Sequence, residues 1–304
     1  MYSEDNLSWH SMAIICKLEP TLMNYIEHVY KCNRHDLMAF RPFILENIKL
    51  GNIRHEFVNK LLAFKDVFKE MGTAITLSKN LKSFSTRNHA ISEVVNELIL
   101  QGHLPKLRNE FYPVTTSFYK PPFFQLDRAA VPYFGVRAFG VHLNGFTKNS
   151  NGSLDLWIAR RAKDRLICPG MLDNIVGGGQ PIGLGIMENL IKECTEEASI
   201  TKDLSTTAIP VGAISYMMET EAGLRHDTLF CFDLKLSDDF VPKNRDGEIS
   251  NFYRWPIQRV AQIVNDGFEF KFNCNLVLID FLIRHGFITP DHPHYTKLIK
   301  GLRF

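Results

Sequence analysis

A glycine run followed by an acidic, helix-like segment constrains this chain more than any other feature. The stretch reads GGGQPIGLGIMENLIKECTEEASI at positions 177–200. On a helix over 185–198, residues three and four positions apart share a face, so Glu193, Glu196 and Glu197 fall within about 100° of arc. This pattern predicts a helix that buries one side and presents three carboxylates beside the core. The buried side is formed by the apolar residues Met187, Leu190, Ile191, Cys194 and Ala198.

Three carboxylates on one helical turn favour a bound divalent cation. Like charges at this spacing destabilise an isolated helix by about 0.2–0.5 kcal/mol per pair. A hard cation reverses that effect because carboxylate oxygens are its preferred ligands. Glycines at 177–179 allow close backbone approach, and a loop of this kind before a helix can present amide N–H groups to anionic oxygens. Either feature alone is most often a solvated helix face or a loop, so the combination carries the prediction.

Size, charge and cysteine content limit the classes of protein to which the chain can belong. Its 304 residues suffice for roughly two ordinary domains. A net charge of +2 argues against a dedicated nucleic-acid binder. The N-terminus lacks the pattern of a secretory signal, and the apolar run 275–283 is too short to span a bilayer. The six cysteines include no C-x-x-C pair, so no zinc site is predicted. Together with the preceding features, this predicts a soluble, cytoplasmic protein.

A proline-rich segment at 111–135 divides the chain into two predicted parts. Its four prolines interrupt helices and sheet ladders, so an extended connector is predicted. We place a small α+β domain with an added helical N-terminal segment at 1–125, and a second domain at 126–304. Helical spacing marks 1–35, 88–101 and 272–286, the last being the predicted final helix. Alternation typical of strands marks 137–148, 153–162, 208–220 and 227–236. This mixture predicts an α/β fold with helices on both sides of a mixed sheet.

The glycine and glutamate spacing resembles the Nudix box, G-x5-E-x7-R-E-U-x-E-E-x-G-U, where U is apolar. With Gly178 as the first glycine, the three glutamates of the helix fall on the glutamates that end the pattern. Leu184 stands where the first glutamate is expected, and Ser199 replaces the late glycine. Lys192 stands at the arginine position, where it keeps the charge but loses bidentate geometry. The departure at 184 keeps open a Nudix-fold binding module without turnover.

The resemblance extends beyond the box to one Nudix subgroup, which is associated with thiamine pyrophosphokinase. The segments that carry it are 142–146, 156–162, 169–174, 240–252 and 275–286, with the N-terminal unit from Pro42 onward. The chain shows no kinase portion, so it resembles a standalone member. The implied fold is the Nudix-type α/β/α sandwich with a mixed sheet, preceded by a small α+β domain.

This resemblance implies a hydrolase that uses Mg²⁺ or Mn²⁺ to cleave a diphosphate linkage. The implied metal ligands are Glu193, Glu196 and Glu197. The implied catalytic residues are Glu196, Glu197 and Glu248, the last from a later loop. The predicted substrate-binding residues are Gly177, Gly178, Gly179, Arg160, Arg161 and Asp173, of which the two arginines alternate on a strand and face opposite ways. A surface role for both arginines is the alternative.

The implied partner is a small-molecule diphosphate, and neither a nucleic acid nor a membrane is expected. The oligomeric state is left open, and a homodimer is one of the alternatives. Thiamine diphosphate or a damaged relative is the leading substrate, and a nucleoside diphosphate derivative is the alternative. An isomerase of the isopentenyl diphosphate type shares the fold but finds no independent support. A cationic ring would suit aromatic faces. The aromatic residues near the connector, for which core packing is the equal alternative, are Phe123, Phe124, Tyr133 and Phe134.

Overall fold

The computed structural model describes residues 24–303. Its α-helices are α1 Tyr25–Cys32, α2 His55–Leu62, α3 Phe84–Leu100, α4 Val131–Phe134, α5 Ile186–Ala198, α6 Lys202–Ser205, α7 Ile257–Asp266, α8 Phe272–Arg284 and α9 Tyr295–Gly301. Its strands are β1 Phe40–Leu45, β2 Ile48–Arg54, β3 Phe68–Met71, β4 Ala74–Leu77, β5 Phe111–Val114, β6 Phe124–Asp127, β7 Arg137–Lys148, β8 Leu154–Arg161, β9 Leu172–Asn174, β10 Val176–Gly179, β11 Ile209–Thr220, β12 Gly223–Lys235 and β13 Ile249–Pro256.

A mixed sheet of seven strands forms the C-terminal part of the molecule. Its main order is β11-β12-β7-β8-β13, while β10 pairs with β7 and β9 pairs with β8. Strand β12 runs parallel to β7, and the other pairs are antiparallel. Leu190 of α5 packs with Val141 and Leu143 on one face, and Phe281 of α8 contacts Phe146 on the other. The predicted α/β fold, with helices on both sides of a mixed sheet, is confirmed.

The N-terminal part is built on a separate four-stranded sheet of order β2-β1-β4-β3. Helices α2 and α3 bury residues such as Leu61 and Leu98 against this sheet. The same apolar cluster extends along the chain from Phe43 as far as Ala138. The segment predicted as an extended connector contributes to this core, because β5 and β6 pair there as a two-stranded hairpin. The boundary between 125 and 126 stays a prediction.

Helix α1 belongs by its contacts to the C-terminal core. Ile26 and Val29 are buried in the cluster formed with α8 and α9, and the His28 ring nitrogen Nε2 lies 2.6 Å from the Val264 carbonyl oxygen. Asn33 donates from Nδ2 to the carbonyl oxygen of Gly301 at 3.0 Å. Of the predicted helical segment 1–35, Tyr25–Cys32 is helical, and the first 23 residues lie outside the described range.

Some expectations are corrected by the structure. Helix α8 is not the last helix, since α9 follows it at Tyr295–Gly301. Phe124 and Phe134 are fully buried in the N-terminal core, which confirms core packing for these two rings and removes them as walls of an open pocket. None of the helices within residues 24–303 combines the length and the apolar character needed to cross a bilayer.

Candidate active site

Strand β10 carries the glycine run and lies directly beneath helix α5. The Gly177 N–H donates to Oε2 of Glu197 at 2.8 Å. A Cβ atom built on Gly178 would lie 2.3 Å from Cδ of Glu193. Alternation turns Gly179 to the other face, where its Cβ would lie 1.5 Å from the Tyr112 hydroxyl oxygen. Glycine is needed here because side chains from both faces approach the backbone closely.

Helix α5 forms as the apolar spacing predicts. The carboxylate of Glu188 accepts a hydrogen bond from the Gly185 N–H at 3.0 Å and thereby caps the N-terminus. Leu190, Cys194 and Ala198 are fully buried against the sheet. Glu193, Glu196 and Glu197 consequently lie at the edge of the core, in the C-terminal half of α5.

Glu197 is a buried carboxylate with few partners. Only 4% of the residue is exposed, and the Gly177 N–H is its hydrogen-bond donor. Burial, and next the charge of Glu193, raise the pKa of Glu197 well above its ordinary value, against the effect of that hydrogen bond. A nearby cation would stabilise the ionised form, which is the form that binds metals.

The loop after β12 brings two further carboxylates to Glu197. Carboxylate oxygens of Glu197, Asp246 and Glu248 lie within 4.8 Å of one another, and we call these three residues the acidic cluster. The loop is docked on the end of α5 through backbone bonds from Arg245 N–H to Glu196 O, at 3.0 Å, and from Lys243 N–H to Ala198 O, at 3.1 Å. The predicted Glu248 therefore lies beside the helix.

Asp246 was missed by sequence reasoning. It stands two residues before Glu248 in the same D-G-E turn, so that turn was the available signal. Its carboxylate also accepts the Glu248 N–H at 2.8 Å, which orders the turn. The side chain of Glu248 itself forms an ion pair with Arg165 at 2.5 Å.

Glu193 and Glu196 are held by Lys192 at the rim of the acidic cluster. The ammonium nitrogen Nζ lies 3.2 Å from Oε1 of Glu193 and 2.8 Å from Oε2 of Glu196. The Glu193 side chain is 13% exposed and that of Glu196 is 45% exposed. Burial raises the pKa of Glu193, and the charge of Lys192 opposes this. Their role as metal ligands stays a prediction.

The predicted phosphate-binding arginines are engaged by the protein itself. Arg161 is buried and forms an ion pair with Asp173 at 2.8 Å. Lys271 and then Arg161 outweigh the effect of burial and lower the pKa of Asp173 to about 2. Arg160 donates to the Gly170 carbonyl oxygen at 2.8 Å and to the Tyr253 hydroxyl at 3.1 Å. Their role in substrate binding stays a prediction.

The contacts of Ser199 give a structural reason for serine in place of the glycine of the family pattern. It ends α5 with a φ of 53°, a left-handed conformation in which glycine is the least strained residue. Its hydroxyl donates to the Lys243 carbonyl oxygen at 2.7 Å and accepts from Arg245 Nε at 2.9 Å. The serine thus ties the loop of the acidic cluster to the helix, which a glycine could not do.

We expect Ser199→Gly to weaken metal binding with little loss of stability. The change removes both hydroxyl bonds but relieves the left-handed strain, which is worth about 1 kcal/mol. The measurement is the Mg²⁺ concentration that gives half of the maximal thermal stabilisation, expected to rise about three- to tenfold. Ser199→Ala should raise it equally and also lower the melting temperature, because alanine keeps the strain. Unchanged Mg²⁺ dependence in both variants would refute the positioning role.

Comparisons with known proteins find relatives along almost the whole chain. A family described as a domain of unknown function, DUF4743, matches residues 24–138. "Nudix hydrolase 20, chloroplastic" of Arabidopsis thaliana is 42% identical over 293 residues, which cover 93% of this chain and 78% of that protein. "Uncharacterized protein YJR142W" of Saccharomyces cerevisiae is 30% identical over 325 residues, covering 97% of this chain and 91% of that protein. Since the plant relative is named chloroplastic, the cytoplasmic location stays a prediction.

Among solved structures, DR0079 from Deinococcus radiodurans is similar with a TM-score of 0.42 and 21% sequence identity. The similarity covers 57% of this chain and 98% of that chain.

Proposed function

The chain belongs to the Nudix hydrolase family, and on that premise we propose that it is a metal-dependent hydrolase cleaving the diphosphate linkage of thiamine diphosphate or a damaged relative. The observation that carries the hydrolytic part is the acidic cluster, in which buried Glu197 meets Asp246 and Glu248 within 4.8 Å. Such a concentration of carboxylate oxygens beside a glycine strand suits a cation bound together with phosphate oxygens.

The residues present fit a hard divalent cation, Mg²⁺ or Mn²⁺. All three members of the acidic cluster supply carboxylate oxygens, the donors that such ions prefer. Glu197 is buried beside a second carboxylate, Glu193, so its ionised form lacks a countercharge that a metal would provide. We propose that Glu197 and Asp246 of the acidic cluster hold the metal, with Glu193 and Glu196 at its rim. When bound, the ion neutralises the charge that develops on the phosphate oxygens.

The side chains of the site divide into binding and proton-accepting roles. Glu197 is oriented by the Gly177 N–H and is shielded from solvent, which suits a metal ligand. Glu248 is about one-third exposed and is held in place by Arg165, which suits acceptance of a proton from the attacking water. Glu196 is more exposed and remains the alternative proton acceptor.

The thiamine part of the proposal rests on the resemblance to the subgroup associated with thiamine pyrophosphokinase. A nucleoside diphosphate derivative is the competing substrate class. Incubating the protein with a panel of both classes, with Mg²⁺ and separately with Mn²⁺, tests the choice. Phosphate release and product masses identify the bond cleaved. Faster turnover of thiamine diphosphate or its oxidised analogues supports the proposal, and equal or faster turnover of nucleoside diphosphates overturns the thiamine assignment.

The binding-module alternative is tested at Leu184. Leucine at this position removes a carboxylate of the family pattern. Lys192 forms ion pairs with Glu193 and Glu196. We expect measurable metal-dependent turnover of at least one diphosphate in the unaltered chain. Turnover that appears only in Leu184→Glu would show that the natural site binds without hydrolysing.

A further inference from the structure

A hairpin of the N-terminal part lies against the glycine strand of the active site. The Tyr112 hydroxyl of β5 touches Gly179, where a Cβ would lie only 1.5 Å from it. The carbonyl oxygen of Phe111 accepts a hydrogen bond from the Ile182 N–H at 2.8 Å. The hairpin of β5 and β6 is therefore fixed to both the strand and the loop that precede α5.

The open end of this hairpin carries an ion pair. The Arg128 N–H donates to the Glu110 carbonyl oxygen at 2.8 Å, so the backbone holds the two residues side by side. Their side chains pair at 2.7 Å between Nη1 and Oε2. The Arg128 side chain is 44% exposed, and its guanidinium lies 5.9 Å from the centre of the Tyr112 ring. The Arg128 guanidinium is thus partly exposed to solvent beside Tyr112.

The charges of this ion pair and those of the acidic site affect one another's pKa values. Burial lowers the pKa of Arg128, but the carboxylates of Glu110 and Glu248 contribute to raising it overall. Burial raises the pKa of Glu193, and the charge of Glu110 acts in the same direction. The contacts of Tyr112 with Gly179 and with the Arg128 guanidinium join this ion pair to the strand beneath the acidic site.

Four other cations near the site already have protein partners. Arg161 is committed to Asp173, and Arg160 donates to a carbonyl and to a tyrosine hydroxyl. Lys192 and Arg165 pair with carboxylates of the site itself. Arg128 differs from Arg161 in exposure, since its side chain is 44% exposed and that of Arg161 is 8% exposed.

We propose that Arg128 is a phosphate-binding residue that the N-terminal part supplies to the active site, and that Glu110 competes with the substrate for its guanidinium. A planar guanidinium donates two parallel hydrogen bonds to phosphate oxygens, as it does to a carboxylate. The ligand class is a diphosphate, and the inference rests on the proposed function. The N-terminal part then contributes to substrate binding directly, not only to folding.

Opposite effects of two substitutions test this inference. The probe is imidodiphosphate with Mg²⁺, whose affinity is measured by titration calorimetry on the full chain. Arg128→Ala should weaken binding by about 10- to 100-fold, the usual effect of losing a charged hydrogen bond. Glu110→Gln should tighten binding several-fold, because the competing carboxylate is neutralised. Arg41→Ala is the matched control, since it removes a 2.8 Å ion pair with Glu70 in the same part of the chain.

A purely structural ion pair predicts a different result. Both Arg128→Ala and Glu110→Gln would then weaken binding, or leave it unchanged, and both would lower the melting temperature; either pattern overturns the inference. Should Arg128→Ala fold poorly, Arg128→Lys keeps the charge and is expected to bind with intermediate affinity. Binding to the unaltered chain with no effect of Arg128 leaves the proposed function intact. No Mg²⁺-dependent binding to the unaltered chain overturns both.

Discussion

Glu197→Gln is expected to lower turnover by about 100-fold or more while the fold is retained, because a metal ligand loses its charge at nearly constant volume. The Gly177 N–H can still donate to the amide oxygen of glutamine, so the strand beneath is not disturbed. The measurement is phosphate release from the best diphosphate at saturating Mg²⁺, with folding checked by circular dichroism. Turnover within threefold of the unaltered protein, by this order-of-magnitude estimate, would remove Glu197 from the mechanism.

The same substitution has an expected signature in stability. Burial and Glu193 raise the folded-state pKa of Glu197 above its ordinary value of 4.5. The protonated form is therefore favoured in the folded protein, so the metal-free protein loses stability as pH rises from that ordinary value through the raised pKa. Glutamine does not ionise. In EDTA at pH 7, Glu197→Gln should melt at the same or a higher temperature than the unaltered protein.

Addition of Mg²⁺ should reverse that ranking. Binding to the folded state alone raises the melting temperature of the unaltered protein, and the variant should respond weakly. A lower melting temperature for the variant in EDTA would show that the ionised carboxylate stabilises the fold, contrary to the geometry of its site.

Gly178→Ala is the second substitution with a large expected effect. Gly178 lies in a strand, where alanine is tolerated by the backbone, but the new Cβ would lie 2.3 Å from Cδ of Glu193. Since the clash is with the far end of a flexible side chain, Glu193 should rotate away at a cost of about 1 kcal/mol or less. Turnover should fall about 10- to 100-fold, because the carboxylate no longer borders the metal position.

Gly185→Ala is the matched control for this change. Gly185 has an ordinary φ of −68°, and the nearest atom to its added Cβ is Oε2 of Glu188 at 3.5 Å. It should leave turnover unchanged and cost a little helix stability, because alanine is a poorer N-cap than glycine. Equal turnover in the two alanine variants would mean that the position of Glu193 has no bearing on catalysis.

Local spacing was sufficient to predict the central helix and its glycines. Helix α5 begins and ends within two residues of the predicted range because both its apolar face and its cap are encoded in neighbouring residues. The strands β7, β8, β11 and β12 were likewise predicted from alternation. Glu248 could be named from the resemblance, but its distance to Glu197 depends on how its loop docks on α5. The docking bonds join Lys243 to Ala198 and Arg245 to Glu196, pairs that no local pattern specifies.

Tertiary pairing accounts for most of what the sequence did not reveal. Alternation placed Arg160 and Arg161 on opposite faces, yet only the fold shows that Arg161 finds Asp173 in the interior. Strands β3 and β4 have four residues each, too few for a periodic signal, and the prolines of the connector concealed the pairing of β5 with β6. The sequence shows Ser199 only as a departure from the family pattern, whereas the fold shows that its hydroxyl bonds to Lys243 and Arg245.

The position of α1 has a consequence for the order in which the protein can be completed. Val29 packs so closely on Gly301 that a Cβ there would lie 2.2 Å from Val29 Cγ1, and Cys32 contacts the Phe272 carbonyl oxygen. During synthesis the ribosome makes α1 well before α8 and α9. The apolar face of α1 therefore stays uncovered until those two helices have been made, although the hairpin next to Arg128 can fold earlier. A nascent chain arrested before α8 should therefore leave α1 open to proteases and chaperones.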